Sequence, residues 1–485
     1  MLRQNPILDL STEEQYMLGS YTLEKISQYL SYTDEVVVAP ELIPSEIVQY
    51  AEQIDFAAPV KPQTAVQHVI EGLRRYQVHT AHPGYYGLYN PRPNFMGIMA
   101  DTITAAFNPQ LAAWSHAPLA VEIENYVLRE LAAQFGYPRD VADGTFTTGG
   151  AEANLTAVLT ALSYHFPKYA TDGLAALEKP PILYASEESH HSLVKAARSC
   201  GLGTNSIRSI RTNDSLQMDI GALSEQIRTD RAQGSAPFLI IATAGTTGAG
   251  AIDPLMEIAA VAEHEQMWLH VDAAYGGAIV LDSELSSHID GIQQADSIAF
   301  DAHKWLSVPM GAGMYFTRHS RILNETFRIT ADYMPKEGEE LPTIDPYTHS
   351  IQWSRRFIGL KLYLSLATAG WEGYRAVLRH QVEMGKLFRE ELMRSGWTVA
   401  NDTVLPVICF LDQEAWTRND QDFALFVNQH VLSTGKVWLS VFTIHGVPTL
   451  RACFTNYDTN VQNVSELIHL LNEARSLYYS HQAHV

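Results

Sequence analysis

Cysteine is scarce in this chain: Cys200, Cys409 and Cys453 are the only three in 485 residues. They stand far apart and form no paired-ligand motif. That excludes a disulfide framework and a cysteine-based zinc site, and it points to a reducing cytosol. Basic residues are also few, 33 lysines and arginines against 54 acids, for a net charge of −21. A chain so acidic does not have nucleic acid or an anionic membrane as its main partner. No apolar run approaches the roughly 20 residues that cross a bilayer. The opening MLRQNPILDLSTEEQ lacks the apolar core of a signal peptide. A soluble, cytoplasmic protein is expected. Internal repeats and low-complexity tracts are absent. So is the lysine that follows the glycines of a nucleotide-triphosphate loop, although a glycine pair occurs at Gly149 and Gly150.

What is present is a hydrophobic share of 46%, ample core for the two or three domains expected at this length. Apolar spacings of three and four predict amphipathic helices over residues 12–30, 45–55 and 63–76, with Pro44 well placed in a first turn. Residues 79–97, HTAHPGYYGLYNPRPNFMG, are rich in proline, glycine and asparagine and read as a loop. Its Tyr85, Tyr86 and Tyr89 either line a pocket or anchor the loop to the core. Residues 117–135 read as a helix whose early acids, Glu122 and Glu124, suit the positive end of its dipole. From about 145 to 320, short apolar runs alternate with helical patterns, the signature of a mainly parallel α/β sheet. From about 376 the order becomes helix, strands and a last helix over 464–479. Three parts are expected: a helical segment over 1–110, a large domain over 111–375 and a small α+β domain over 376–485.

Two stretches of the large domain carry chemistry. GTFTTGGAEANLTAVL joins a turn to a long helix. A helix start leaves backbone N–H groups unpaired, and glycines let a phosphate approach them, so Thr148, Gly149, Gly150 and Ala151 are candidates for a phosphate cradle. Further on, MWLHVDAAY ends in an acid and small residues, and DSIAF delivers DAHKW. Both begin as buried-strand patterns. Asp272 and Lys304 are thus expected at the carboxyl ends of two strands about one crossover unit apart, where ligands bind in doubly wound sheets. An acid and a lysine there suit pyridoxal 5′-phosphate (PLP). The amine forms a Schiff base with the cofactor aldehyde, and the acid holds a proton on the pyridine nitrogen. A buried Asp272 needs such a positive partner.

HVDAAY followed by AHKW resembles the group II PLP-dependent decarboxylases, which include aromatic-L-amino-acid, glutamate and diaminobutyrate decarboxylases. The resemblance runs over about 45–470. It implies an α/β fold of type I (aspartate-aminotransferase-like), a homodimer whose amino-terminal segments pack across the partner, and conversion of an L-amino acid to its amine and carbon dioxide. It makes Lys304 the Schiff-base residue and has Ala274 leave space beneath the ring. His190, selected over His191 by aligning HHSLVKAA, would stack on the cofactor and meet the leaving carboxylate. Thr246 would lie near the cofactor, and His303 would bond its phosphate. Asp301 departs from the asparagine of some members. A carboxylate beside a phosphate is repelled, so Asp301 either points elsewhere or is bridged by a cation such as protonated His303.

Residues 328–350 match a loop that closes over the site, and ADYMPK puts the proton donor to Cα at Tyr333, with Tyr347 as competitor. In WSRRF, Ser354 would reach the partner's phosphate. Arg451 would meet the substrate carboxylate or else form an interdomain ion pair. His82, Tyr89 and Asn90 belong to the stretch at the pocket mouth. No metal is implied. Tyrosines and Trp114 favour an aromatic substrate, and the FNQ of glutamate-type members is replaced by YGLYN. An acidic or aliphatic substrate, or an aldehyde synthase (a decarboxylating oxidase), are the alternatives.

Overall fold

The computed structural model describes residues 10–31, 36–329 and 343–482. The chain opens with three helices, α1 (Thr12–Ser31), α2 (Pro44–Ala51) and α3 (Pro62–Arg75). Proline occupies the first position of α2 and α3, where its missing N–H has no partner to lose. α2 stops at Ala51, short of the expected 55. None of the three helices buries a residue, and Tyr16, Met17, Val48, Val69 and Leu73 stand exposed on them.

The loop expected over 79–97 is irregular only to Asn94. A fourth helix, α4 (Phe95–Phe107), starts inside it, because the Asn94 side chain accepts the Gly97 N–H at 2.7 Å and caps the first turn. Two of the loop's tyrosines are anchors: Tyr85 stacks on Trp438, and Tyr86 is buried in the carboxy-terminal core.

The next helix, α5 (Pro118–Gln134), holds a second correction. Glu124 does not serve the helix dipole; it is buried, its Oε1 accepts the N–H groups of Ile358 and Gly359 at 3.0 and 2.9 Å, and Arg355 is paired with it. Glu122, on the surface, accepts the Trp114 indole N–H.

Seven strands form the central sheet: β1 (Asp143–Thr147), β2 (Pro181–Ser186), β3 (Ile207–Ile210), β4 (Ala236–Thr243), β5 (Trp268–Asp272), β6 (Ser297–Asp301) and β7 (Gly313–Thr317). Their order is β1-β7-β6-β5-β4-β2-β3. From β6 to β3 all neighbours are parallel, while β7 runs antiparallel between β6 and β1. α5 covers one face, packing Leu128 and Leu131 among Phe146, Phe300 and Phe316. On the other, α6 (Gly150–His165) sets Val158 and Leu162 against Leu183, Phe238 and Ile241. Covered on both sides, β5 and β6 bury every residue.

The register brings Thr147, Gly313 and Asp301 level across β1, β7 and β6. Asp272 stands opposite Thr243 of β4 and Ala299 of β6. The carboxyl ends of β1, β4, β5 and β6 therefore meet along one edge.

A second, antiparallel sheet follows: β8 (Trp397–Val399), β9 (Val407–Asp412), β10 (Ser440–Ile444) and β11 (Val447–Cys453), in the order β10-β11-β9-β8. Its core gathers Phe388, Phe410, Phe423, Leu450 and Leu467. The helix Leu360–Arg394 joins the two units and breaks at Gly370, where φ of +62° is open only to glycine without strain. The three cysteines are free and buried, and burial pushes their thiols up to about 12, about 12 and about 11 for Cys200, Cys409 and Cys453. Among the described residues no helix is long and apolar enough to cross a membrane, and no group of three or more His, Cys, Asp or Glu could hold a metal ion.

The buried Glu124 gives a stability test. Glu124→Ala strands Arg355 and two backbone donors, and it should lower the unfolding free energy by about 3–5 kcal/mol. The denaturant midpoint measures this; a loss under about 1 kcal/mol would show that the pair contributes no more than a surface ion pair.

Candidate active site

A cavity of about 270 Å³ opens at the strand ends, and Asp272, Lys304 and the start of α6 all border it. Lys304 sits in the turn after β6, its N–H held by the Asp301 carbonyl at 3.1 Å. Its side chain is a quarter exposed; Nζ lies 3.2 Å from Asp301 Oδ2 and 5.9 Å above the Tyr89 ring. Asp301 is buried, and its Oδ1 has no hydrogen-bond partner.

Glycines allow this crowding. A Cβ on Gly313 would lie 2.6 Å from Gly149 Cα and 2.7 Å from Asp301 Oδ1. On Gly150 it would lie 3.1 Å from Asp301 Oδ2 and 3.2 Å from Ala274 Cβ. The start of α6 carries no side-chain cap, so Gly149, Gly150 and Ala151 present backbone to the cavity. Thr148 does not: its N–H and hydroxyl are both bonded to Glu152 Oε2, at 2.9 and 2.8 Å, outside the wall.

His303 is buried beside this turn. Its Nδ1 accepts the Ala312 N–H at 3.1 Å, which leaves the hydrogen on Nε2, 3.8 Å from Asp301 Oδ2. Burial pushes its pKa down, with Asp301 opposing. A protonated His303 is therefore not the bridge to Asp301; Lys304 is. His190 reaches the cavity and His191 does not. His190 Nδ1 accepts the Ser192 N–H, and desolvation lowers its pKa against the pull of Asp272, so it offers a neutral Nε2–H.

Asp272 is buried at the end of β5. Its Oδ2 accepts Asn154 Nδ2 at 2.8 Å and its Oδ1 accepts the Ala274 N–H at 3.2 Å. No cation among the described residues pairs with it. Ala274 borders the cavity beside it, and Tyr89 forms one wall by stacking on Tyr275, centroids 3.7 Å apart and planes 14° from parallel.

Other expected residues stand back from the wall. Thr246 is buried in its own loop, its hydroxyl accepting the Ala251 N–H; Thr243, Gly245 and Thr247 face the cavity instead. Arg451 is buried and donates to the carbonyls of Gly248, Gly87 and Thr247 at 2.6–2.7 Å, and to Ser440 Oγ. Among the described residues it pairs with no acid, so in place of the expected interdomain ion pair it clamps loops. His82 and Asn90 bond within the mouth region, His82 Nδ1 to the Gly84 N–H and Asn90 to Met310. Ser354 is exposed and accepts from Gln110. Tyr347 packs on Trp353, away from the cavity. Tyr333 lies outside the described residues.

The sequence reading missed Asn154, Tyr275 and Gly313. A signal for Asn154 existed: a lone amide four residues after Gly150, at the start of the second turn of a helix that is mostly apolar beyond it.

A cationless buried carboxylate, a lysine one turn past the next strand and an uncapped helix start define a PLP-dependent enzyme of fold type I. The pyridoxal-dependent decarboxylase conserved domain matches residues 48–412, and the chain belongs to that family. It is a PLP-dependent amino acid decarboxylase. It is 29% identical over 473 residues, 95% of each chain, to an aromatic-L-amino-acid decarboxylase of Bacillus atrophaeus. To the cysteine sulfinic acid decarboxylase of Rattus norvegicus it is 32% identical over 351 residues, 71% of this chain and 70% of the relative. The crystal structure of Oryza sativa TDC with PLP and tryptamine superposes with a TM-score of 0.92 at 23% identity, over 98% of this chain and 100% of that one.

The residues present fit PLP, since Asp272 awaits a positive partner and the start of α6, which has no side-chain cap, offers backbone N–H groups to an anion. Asp301 also sets a test. With the cofactor removed, pyridoxine 5′-phosphate, which lacks the aldehyde, should bind Asp301→Asn about tenfold more tightly than wild type, because a like charge has left the cradle. Equal affinities by titration would show that Asp301 does not oppose the phosphate.

Proposed function

We propose that this decarboxylase acts on an L-amino acid with an uncharged side chain, aromatic ones favoured, and releases the amine and carbon dioxide. The make-up of the cavity wall carries the reading. Among its described residues Lys304 is the one cation, and the stacked Tyr89 and Tyr275 form its apolar side. An acidic side chain needs a further cationic partner on leaving water. A flat aromatic one gains from stacking. The full-length similarity to the Bacillus aromatic-L-amino-acid decarboxylase supports the same choice.

In this reading Lys304 anchors PLP, Asp272 holds a proton at the pyridine nitrogen, and Ala274 leaves room beneath the ring. His303 and the amides of Gly149, Gly150 and Ala151 hold the phosphate, with Thr148 and Thr246 bracing their loops. Bound PLP supplies an electron-accepting ring conjugated with the substrate nitrogen. His190 meets the substrate carboxylate through Nε2–H. A neutral partner suits it, because the carboxylate loses charge as carbon dioxide leaves, and a cationic clamp would favour the ground state. Arg451, committed to three carbonyls, shapes the wall next to Tyr89. Tyr333 delivers a proton to Cα, on the strength of the ADYMPK match.

A panel of L-amino acids assayed for carbon dioxide, amine, aldehyde and oxygen uptake tests this reading. Aromatic substrates should exceed aspartate, glutamate and cysteine sulfinate in kcat/KM by at least about tenfold, worth about 1.4 kcal/mol. The reverse order overturns the aromatic assignment, and stoichiometric oxygen uptake by wild type would make the protein an aldehyde synthase. Tyr333→Phe should keep carbon dioxide release while shifting product from amine to aldehyde. Wild-type amine yield from that variant would move the proton donor elsewhere.

We also propose a homodimer, its second copy covering the apolar side chains left exposed on α1, α2 and α3 and bringing Ser354 to the partner's phosphate. Light scattering should give twice the chain mass of 54.0 kDa. A stable, active monomer would overturn this.

A further inference from the structure

A run of hydrogen bonds leads from Asp272 back through the sheet, and the carboxylate at its end, an acceptor only, sets its direction. The Trp268 indole can only donate, and its Nε1–H reaches Ser297 Oγ at 2.8 Å. Ser297 Oγ also lies 2.9 Å from His270 Nδ1. The indole hydrogen fills one lone pair of that oxygen, and the serine hydrogen goes to Nδ1, because the ring's own hydrogen is drawn to Nε2 by the Asn154 amide oxygen, which the Asp272 carboxylate turns toward it. His270 is wholly buried, and burial pushes its pKa down to about 4 against the pull of Asp272. The ring is neutral, with its single hydrogen on Nε2, and that hydrogen goes to Asn154 Oδ1 at 3.0 Å. The amide is thereby turned with its nitrogen outward, donating to Asp272 Oδ2 at 2.8 Å and Ser192 Oγ at 2.9 Å. The flipped amide would set two acceptors, Oδ1 and the carboxylate, against each other. Every hydrogen in the run points toward Asp272.

We propose that Asn154 and His270 are positioning residues for the decarboxylation: with Ser297 and Trp268 they hold the Asp272 carboxylate in place at the cavity, an inference that rests on the reading of Asp272 as partner of the pyridine nitrogen. Bonds aligned in series in a dry interior reinforce one another, so each member of the run helps to fix the carboxylate at its end. His270 acts through Asn154, since it does not border the cavity itself. The titratable groups facing it are Asp272, two residues on along β5, and the Tyr315 ring of β7 at 6.3 Å, whose hydroxyl is taken by Thr160 at 2.7 Å.

The test compares wild-type holoenzyme with His270→Leu, His270→Gln and Asp272→Asn. The readouts are the visible absorption band of bound cofactor across pH, the PLP retained on dialysis, and kcat and KM. Leucine removes the donor to Asn154; glutamine restores an N–H near the Nε2 position. His270→Leu should move the band toward that of Asp272→Asn and lower kcat about 10–100-fold, the scale outer partners carry at metal sites, with KM changed far less. His270→Gln should recover most of both effects. A wild-type band and kcat in His270→Leu, whatever its melting temperature, overturns the proposal; a shifted Asp272→Asn band beside it leaves the Asp272 reading standing. An Asp272→Asn band identical to wild type overturns that reading and the proposal together. Should the leucine variant fail to fold, His270→Ala takes its place, and an unmoved band is again the overturning result.

Discussion

A carboxylate buried without a cation is the constraint on which the site depends. Taking such a charge out of water costs several kcal/mol even after relaxation. The chain offsets part of this with the amide of Asn154 and the N–H of Ala274, all neutral donors. What remains is a standing preference for a positive group at that point of the cavity. Asp301, at the end of the adjacent strand, is handled differently, because Lys304 lies 3.2 Å from it. Two acids on neighbouring strands thus give the cavity two electrically distinct ends. One is anionic and awaits a cation; the other is balanced and borders a helix start that favours an anion.

The sheet makes this arrangement cheap in sequence terms. Parallel strands deliver their carboxyl ends to one edge, so residues distant in sequence converge with no long loop between them. The antiparallel β7 adds what a parallel strand there would not: its first residue, Gly313, is level with Asp301 and Thr147 and lets the turn at Gly149 lie against both strands.

The chemistry was legible where it is local. HVD and DAHK each place a reactive residue within three positions of a strand end, and burial of β5 and β6 makes those strands visible as apolar runs. The alternation of strands and helices likewise announced the parallel sheet. What escaped reading depends on contacts distant along the chain. Glu124 looks like a dipole acid until Arg355 and the Ile358 N–H arrive from far along the sequence. Thr148 and Thr246 carry the right hydroxyls in the right loops, yet local hydrogen bonds to Glu152 and Ala251 turn them aside. α4 was hidden because its cap, Asn94, sits in a proline-rich run that reads as loop. His270 was the nearest miss: strand residues two apart share a face, so HVD already sets it on the side of Asp272.

Arg451 has a mechanical consequence. Its guanidinium fastens the Thr247 and Gly248 carbonyls, beside the cavity, and the Gly87 carbonyl of the mouth to β11 of the small sheet. Charge-assisted bonds are among the stronger ones in a protein, and swinging the small sheet outward would break all three together. That side of the cavity is a fixed jaw. Mouth, cavity wall and small sheet are thereby held as one piece through a single side chain.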